Sequence, residues 1–161
     1  QQEQAILAYM ILNGVLKDDE YLVHAREAAA FYNAHFLDRD DGAVYFNVLA
    51  NGLPYLMGNE RFKGSHSMSG YHSTELCYLS AVYTNLLITR VPMDFYFRPR
   101  PGGFKDSILR VSPDILPKGS VRLTGVEIDG KPYANFDANE LTVKLPVSQQ
   151  DLKVKVTITP V

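Results

Sequence analysis

The chain has 161 residues, 46% of them hydrophobic and 21% charged, with a formal net charge of −2. That length allows one medium domain or two small ones, and the composition is ordinary for a globular chain. The charge balance argues against nucleic acid or an anionic membrane surface as partner, and no apolar run approaches the roughly 20 residues that span a bilayer.

The first apolar pattern is helical. Ile6, Leu7, Met10, Ile11 and Gly14 recur every three or four residues. Asp18 or Asp19 is a suitable N-cap for a second helix carrying Tyr21, Leu22, Ala25, Ala28, Ala29, Tyr32 and Phe36. Asp40-Asp41-Gly42 ends it in a turn. Residues 43–48 contain Val44, Tyr45 and Phe46 and predict a short strand or extended arm, followed by the turn signals Asn51-Gly52 and Leu53-Pro54. A third helix is predicted over 72–88, with Leu76, Leu79, Val82, Tyr83, Leu86 and Leu87 on its apolar faces.

From Met93 the apolar period changes to two. Strands are predicted around 108–111, 121–128, 133–136, 140–145 and 152–158. Asp129-Gly130 is a strong hairpin signal. In 152–158 apolar residues alternate with Lys153, Lys155 and Thr157, so one face is solvated. The expected fold class is α+β in two domains: helices over 1–92, then a small antiparallel β-sandwich over 93–161. Three helices with broad apolar faces do not easily close a core alone, so the chain is expected to be the C-terminal piece of a longer protein.

The segment from Arg61 to Cys77 concentrates the chemistry. It is a Gly/Ser-rich loop with His66, leading to Tyr71-His72 at a helix start. Histidine titrates near neutrality and suits proton transfer. Set against this, a helix-start histidine often bonds only to loop backbone, and a loop histidine such as His66 is often just solvated. Arg61, Lys63 and Tyr71 can meet a sugar hydroxyl or carboxylate, or can serve solvation and packing. Glu60, Glu75 and Glu3 are the carboxylates available for acid–base work. Asp38-x-Asp40-Asp41-Gly42 superficially resembles a calcium loop, but its Gly stands at position 5 and Leu49 at position 12, so a capped turn is the better reading. No third ligand supports a metal at His66 and His72, and no Gly-x-Ser-x-Gly elbow occurs. Cys77 has no internal disulfide partner and reads as a small core residue. A single thiol is compatible with a reducing compartment, and the opening Gln1-Gln2-Glu3-Gln4 lacks the basic start and apolar core of a signal peptide. The expected location is cytoplasmic.

The order of these pieces is distinctive. Gln2-Glu3 and Gln4 open a helix. Tyr21-Leu22-Val23-His24-Ala25-Arg26-Glu27-Ala28-Ala29 follows, then His35-Phe36-Leu37-Asp38-Arg39-Asp40-Asp41-Gly42-Ala43-Val44-Tyr45-Phe46, Phe62-Lys63-Gly64 and Tyr71-His72. Over residues 1–90 this resembles the C-terminal part of the N-acylglucosamine 2-epimerase family, whose catalytic domain is an (α/α)6 barrel. The resemblance implies a partial barrel, a catalytic role for His72 and a sugar-lining role for Glu3. Glu75 stands where the family usually has Arg, and the longer Lys-Gly to Tyr-His spacing makes His66 a competitor of His72. It further implies that a second catalytic histidine and the missing N-terminal half of the barrel lie upstream of residue 1, so that the isolated chain is inactive. The implied parent is a carbohydrate 2-epimerase or isomerase with a small sugar as substrate. It needs no cofactor for the proton transfer, and neither nucleic acid nor membrane is a partner. The β part resembles the sandwiches appended to carbohydrate-active enzymes. Two other functions remain open: glycoside cleavage by a pair of carboxyl groups, and sugar binding without catalysis, carried by the β part.

Overall fold

The computed structural model describes residues 1–55, 57, 63, 70–111 and 116–161. Among them the chain is mixed α+β, with three α-helices, two antiparallel sheets and no closed barrel. It divides into two compact units, Gln1–Ala81 and Val82–Val161. None of the helices among these residues is long and apolar enough to cross a membrane.

In the first unit, α1 (Gln2–Leu16) packs on α2 (Glu20–Phe31). The buried residues of α1 are Glu3, Ile6, Leu7, Met10 and Gly14, the predicted stripe with a glutamate at its start and with Ile11 only half-buried. Tyr9 lies over Tyr21 and His24, with ring centroids 6.4 and 5.4 Å apart. α1 ends at Lys17 in the left-handed region (φ 58°), where its N–H bonds Asn13 O at 2.8 Å. The two candidate caps of α2 divide the work. Asp19 occupies the N-cap position without a side-chain cap bond, while Asp18 Oδ1 accepts the Glu20 N–H at 3.0 Å. Of the apolar residues predicted to face inward from the second helix, Ala25 and Tyr32 are fully buried.

α2 runs on as a π-helical turn, Tyr32–Phe36, in which Tyr32 and Phe36 stack 5.3 Å apart. The arm after it is extended rather than part of a sheet, held by single bridges Leu37↔Val44 and Val48↔Pro54. Gly52 is required at its turn. Its φ is +85°, and a Cβ there would run into the imidazole of His35. α3 (Gly70–Tyr83) and a second π-helical turn (Thr84–Ile88) cover the span expected for the third helix. Apart from Lys63, the Gly/Ser-rich loop before Gly70, including Glu60, Arg61 and His66, lies outside the described residues.

The second unit contains two sheets. The four-stranded one has the order β1 (Met93–Phe97), β7 (Val154–Pro160), β3 (Val121–Ile128), β4 (Lys131–Pro132). The three-stranded one has the order β2 (Ile108–Arg110), β6 (Thr142–Lys144), β5 (Phe136–Asp137). Phe95, Leu123, Val126, Val154, Val156 and Ile158 from the first sheet share one buried cluster with Leu109 and Val143 from the second. Val82 and Leu86, at the end of the third helix, belong to the same cluster. The change from helical to strand period at Met93 therefore follows a helical turn already packed with the strands. Asp129 (φ 51°) and Gly130 (φ 76°) both take the left-handed conformation that a two-residue hairpin of this twist demands.

One strand carries an irregularity with a clear cause. Val121 and Leu123 are core residues at odd positions, Val126 and Ile128 at even ones. A regular strand would send one pair to solvent. A bulge between Leu123 and Gly125 resets the alternation, so both pairs face the core. Thr124, the extra residue, bonds the Thr159 hydroxyl at 2.7 Å.

Candidate functional site

The N-terminal turn of α3 meets the N-terminal turn of α1, and this meeting gathers most of the described candidates. On α3, Tyr71, His72 and Glu75 share a face because they lie three and four positions apart. Tyr71 Oη donates to Glu75 Oε1 at 3.3 Å, and Gln4 Nε2 from α1 donates to Glu75 Oε2 at 3.1 Å. His72 Nδ1 lies 3.5 Å from Glu75 Oε2, outside hydrogen-bond geometry, and is buried without another partner. The His72 ring is 4.9 Å from Tyr71, edge to face, and its side chain is 41% exposed. A carboxylate beside a ring nitrogen can set an imidazole tautomer only through a hydrogen bond, which the present geometry does not make; turned to meet Glu75, an Nδ1–H would leave Nε2 as the acceptor nitrogen.

One residue along, Ser73 points to a second carboxylate. Glu3 is only 6% exposed, and its Oε1 accepts from Tyr32 Oη at 2.7 Å and from Ser73 Oγ at 3.2 Å. Burial, followed by the Glu3 acceptor, pushes the Tyr32 phenol well above its ordinary range. A cavity of about 340 Å³ adjoins this network, lined by Ile6, Tyr32, Ser73, Leu76 and Cys77 among others. Cys77, expected in the core, is exposed along it, because it faces this open cavity beside Ser73, Leu76 and Ser80 rather than packed side chains.

Lys63 is engaged elsewhere. Its Nζ pairs with Asp38 Oδ2 at 2.5 Å, donates to Gly42 O at 3.1 Å and lies 5.8 Å from the centre of the Tyr45 ring. Asp38 also accepts the Asp40 and Asp41 N–H groups through Oδ1 and the Tyr45 hydroxyl through Oδ2. The Lys63 ammonium, with help from the Asp41 N–H, holds the Asp38 carboxyl well below the usual carboxylate range. Asp38 thus sits at the centre of a saturated capped turn, with all its acceptor positions turned to protein donors. Among the described residues no three His, Cys, Asp or Glu side chains come together to hold a metal.

The structure therefore joins Tyr71, His72 and Glu75 directly, sets Glu3 one helix position from their partner Gln4, and ties Lys63 to a different turn. Sequence reasoning passed over Tyr32 and Ser73. Glu3 itself was the available signal, since it stands on the same helical stripe as Ile6, Leu7 and Met10. An acid on an apolar face needs donors from whatever packs there, and a tyrosine on the apolar face of the neighbouring helix is the natural source. Compared with known proteins, the chain matches no family model, no curated protein and no solved structure.

Proposed function

We propose that this chain carries one side of a carbohydrate site that performs 2-epimerisation, or a related aldose–ketose isomerisation, by histidine-mediated proton transfer. The observation that supports it is the half-exposed His72 ring with Nδ1 turned to Glu75. Removing the C2 proton of an opened sugar requires a general base beside the C1 carbonyl. His72 Nε2 takes that part, Glu75 and Tyr71 orient the ring and Glu3 meets sugar hydroxyls. On this reading the helices are part of an (α/α)6 barrel. The acid that returns the proton on the opposite face comes from His66 or from a histidine beyond these 161 residues, and Arg61 serves as a further sugar contact. No cofactor enters the proton transfer.

The test is deuterium uptake at C2, followed by NMR in heavy water, for a panel of aldoses and N-acylhexosamines. It is measured on the longest natural gene product that contains this sequence. Uptake that disappears in His72→Asn is the expected result. Full activity in that variant removes His72 from the mechanism.

A second reading draws on the two carboxyl groups, Glu3 and Glu75, supplied where α1 meets α3. Glycoside hydrolysis uses such a pair. Loss of hydrolysis in Glu75→Gln, with His72→Asn unaffected, would select it.

A further inference from the structure

α1 is apolar on two sides. Its inner stripe, Glu3, Ile6, Leu7, Met10 and Gly14, is buried within the first unit. A second stripe, Ala5, Ala8, Leu12 and Val15, recurs at intervals of three, four and three residues, the spacing of the seam positions in a pair of helices. At about 3.6 residues per turn the two stripes fall on opposite sides of the helix. The second one is open. Ala5 is half-buried and Ala8 exposed, Leu12 and Val15 are 37% and 61% exposed, and Leu16 beside them is 55% exposed. No charged residue stands between Glu3 and Lys17. A helix that is apolar all round belongs in an interior, and the first unit, among its described residues, buries one side of this one.

We propose that the open stripe pairs with the same stripe on a second copy of this chain, the two α1 helices running antiparallel about a twofold axis. The sizes along the stripe select that partner and that direction. Its first half is small, Ala5 and Ala8, and its second half is large, Leu12 and Val15. When Ala8 lies across from Leu12 of the other copy, Ala5 lies across from Val15, because both pairs are centred on position 10. Every layer then holds one alanine and one branched aliphatic side chain, and the axes keep one separation along the seam. A parallel pair would set alanine on alanine and leucine on leucine, with a gap at one end and crowding at the other. The twofold axis repeats each layer, as in any isologous interface. Charge agrees with this partner. Residues 4–16 are all uncharged, so two copies meet without repulsion, and the seam lacks the flanking charges by which a helix selects a different partner. A lipid surface is met by an apolar face flanked with lysines and arginines, and α1 has none before Lys17. Because α1 is already held on α2, the helix is formed before it pairs, and the cost of ordering it does not fall on association.

One helix face against another makes a small interface, under about 1,200 Å² in all. Association is therefore measured by sedimentation from roughly 1 μM to 1 mM protein, on the longest natural gene product that contains this sequence. A reversible dimer is expected. Leu12→Glu, at a position already open to solvent, should weaken it at least about tenfold. Ala8→Leu adds apolar surface yet should also weaken it about tenfold, because it sets leucine against leucine. Combining Ala8→Leu with Leu12→Ala rebuilds each layer with the sizes reversed and should bring the affinity back to within about threefold of the parent. For direction, Cys77→Ser proteins carrying either Ala8→Cys or Leu12→Cys are mixed and oxidised. A disulfide between the two different variants is expected, since these positions face each other within bridging distance. Unchanged circular dichroism and thermal midpoint show that each variant is folded. The proposal is overturned by a monomer across the whole range, the result if another segment of the parent covers the stripe. It is overturned equally by a dimer that Leu12→Glu leaves intact, by a combined variant as weak as Ala8→Leu alone, or by Leu12→Cys linking to itself in preference to the mixed link. His72→Asn should dimerise as the parent does, and Leu12→Glu should keep C2 exchange, so this inference and the reading of His72 fail separately.

Discussion

Replacing Tyr32 by Phe isolates the energetic worth of the buried Glu3 network. The ring remains, so packing against Phe36 persists and no cavity larger than an oxygen atom opens. What disappears is the 2.7 Å bond to Glu3 Oε1, leaving Ser73 Oγ at 3.2 Å as the donor to that oxygen. A hydrogen bond to a charged group is worth about 1.5–3 kcal/mol, and the surviving serine bond keeps the loss near the lower end, about 2 kcal/mol. For a unit the size of Gln1–Ala81, that lowers Tm by roughly 8–16 °C. Urea unfolding at neutral pH supplies the free energy, and a double-mutant cycle with Glu3→Gln supplies the coupling, expected at about 1–2 kcal/mol. The alkaline limb gives an independent check. The phenol's folded pKa is raised above the unfolded value of 10.0, so its contribution is fully present below pH 10.0 and is lost as pH rises further. The parent should therefore lose stability above pH 10.0 more steeply than Tyr32→Phe. A loss under about 0.5 kcal/mol, typical of an indifferent surface change, or additivity of the two single variants, would refute the reasoning.

The acid limb tests a different cluster. Asp38 has a folded pKa below its unfolded value of 3.8, so its contribution is present above pH 3.8 and is lost as pH falls below it; Asp38→Asn should flatten the fall in urea midpoint on that side. Lys63, raised above 10.5 chiefly by the same pair, gives the mirror-image loss above pH 10.5, which Lys63→Met should remove. Gly52→Ala forces a left-handed alanine into the His35 ring, so thermal unfolding should show a loss of at least about 1–2 kcal/mol. In the β unit, Ile158→Ala empties a site that is 0% exposed and should cost about 2–5 kcal/mol by urea unfolding. Val147→Ala, at a fully exposed position, should stay within about 0.5 kcal/mol of the parent.

Local chemistry carried much of the architecture. The 3.6-residue spacing of Ile6, Leu7 and Met10, the switch to alternation after Met93 and the Asp129-Gly130 turn each constrain a few neighbouring residues, and neighbours are what a linear reading sees. The alternation of Val154, Val156 and Ile158 marked a strand with one buried and one solvated face for the same reason; its central place in the sheet came from pairing with β1 and β3. Of the site, His72 and Glu3 were named through the family resemblance and Glu75 as an available carboxylate; the three-residue spacing of His72 and Glu75 and the place of Glu3 on the stripe of Ile6, Leu7 and Met10 stand in the sequence, but their partners do not.

Other features depend on residues far apart in the chain. Tyr32 becomes a donor to Glu3 only because α2 packs on α1. Lys63 became the partner of Asp38, 25 residues away, rather than a free cation. The bulge at Thr124 exists because two core pairs of opposite parity must face one interior, which no single strand pattern reveals. On the four-stranded sheet the row Tyr96, Lys155, Glu127 is assembled from three strands, and its members are unremarkable one by one. Period, turn and cap are short-range properties of the sequence. Which buried acid meets which donor, and which exposed ring stands among which charges, is decided when distant segments compete for the same space.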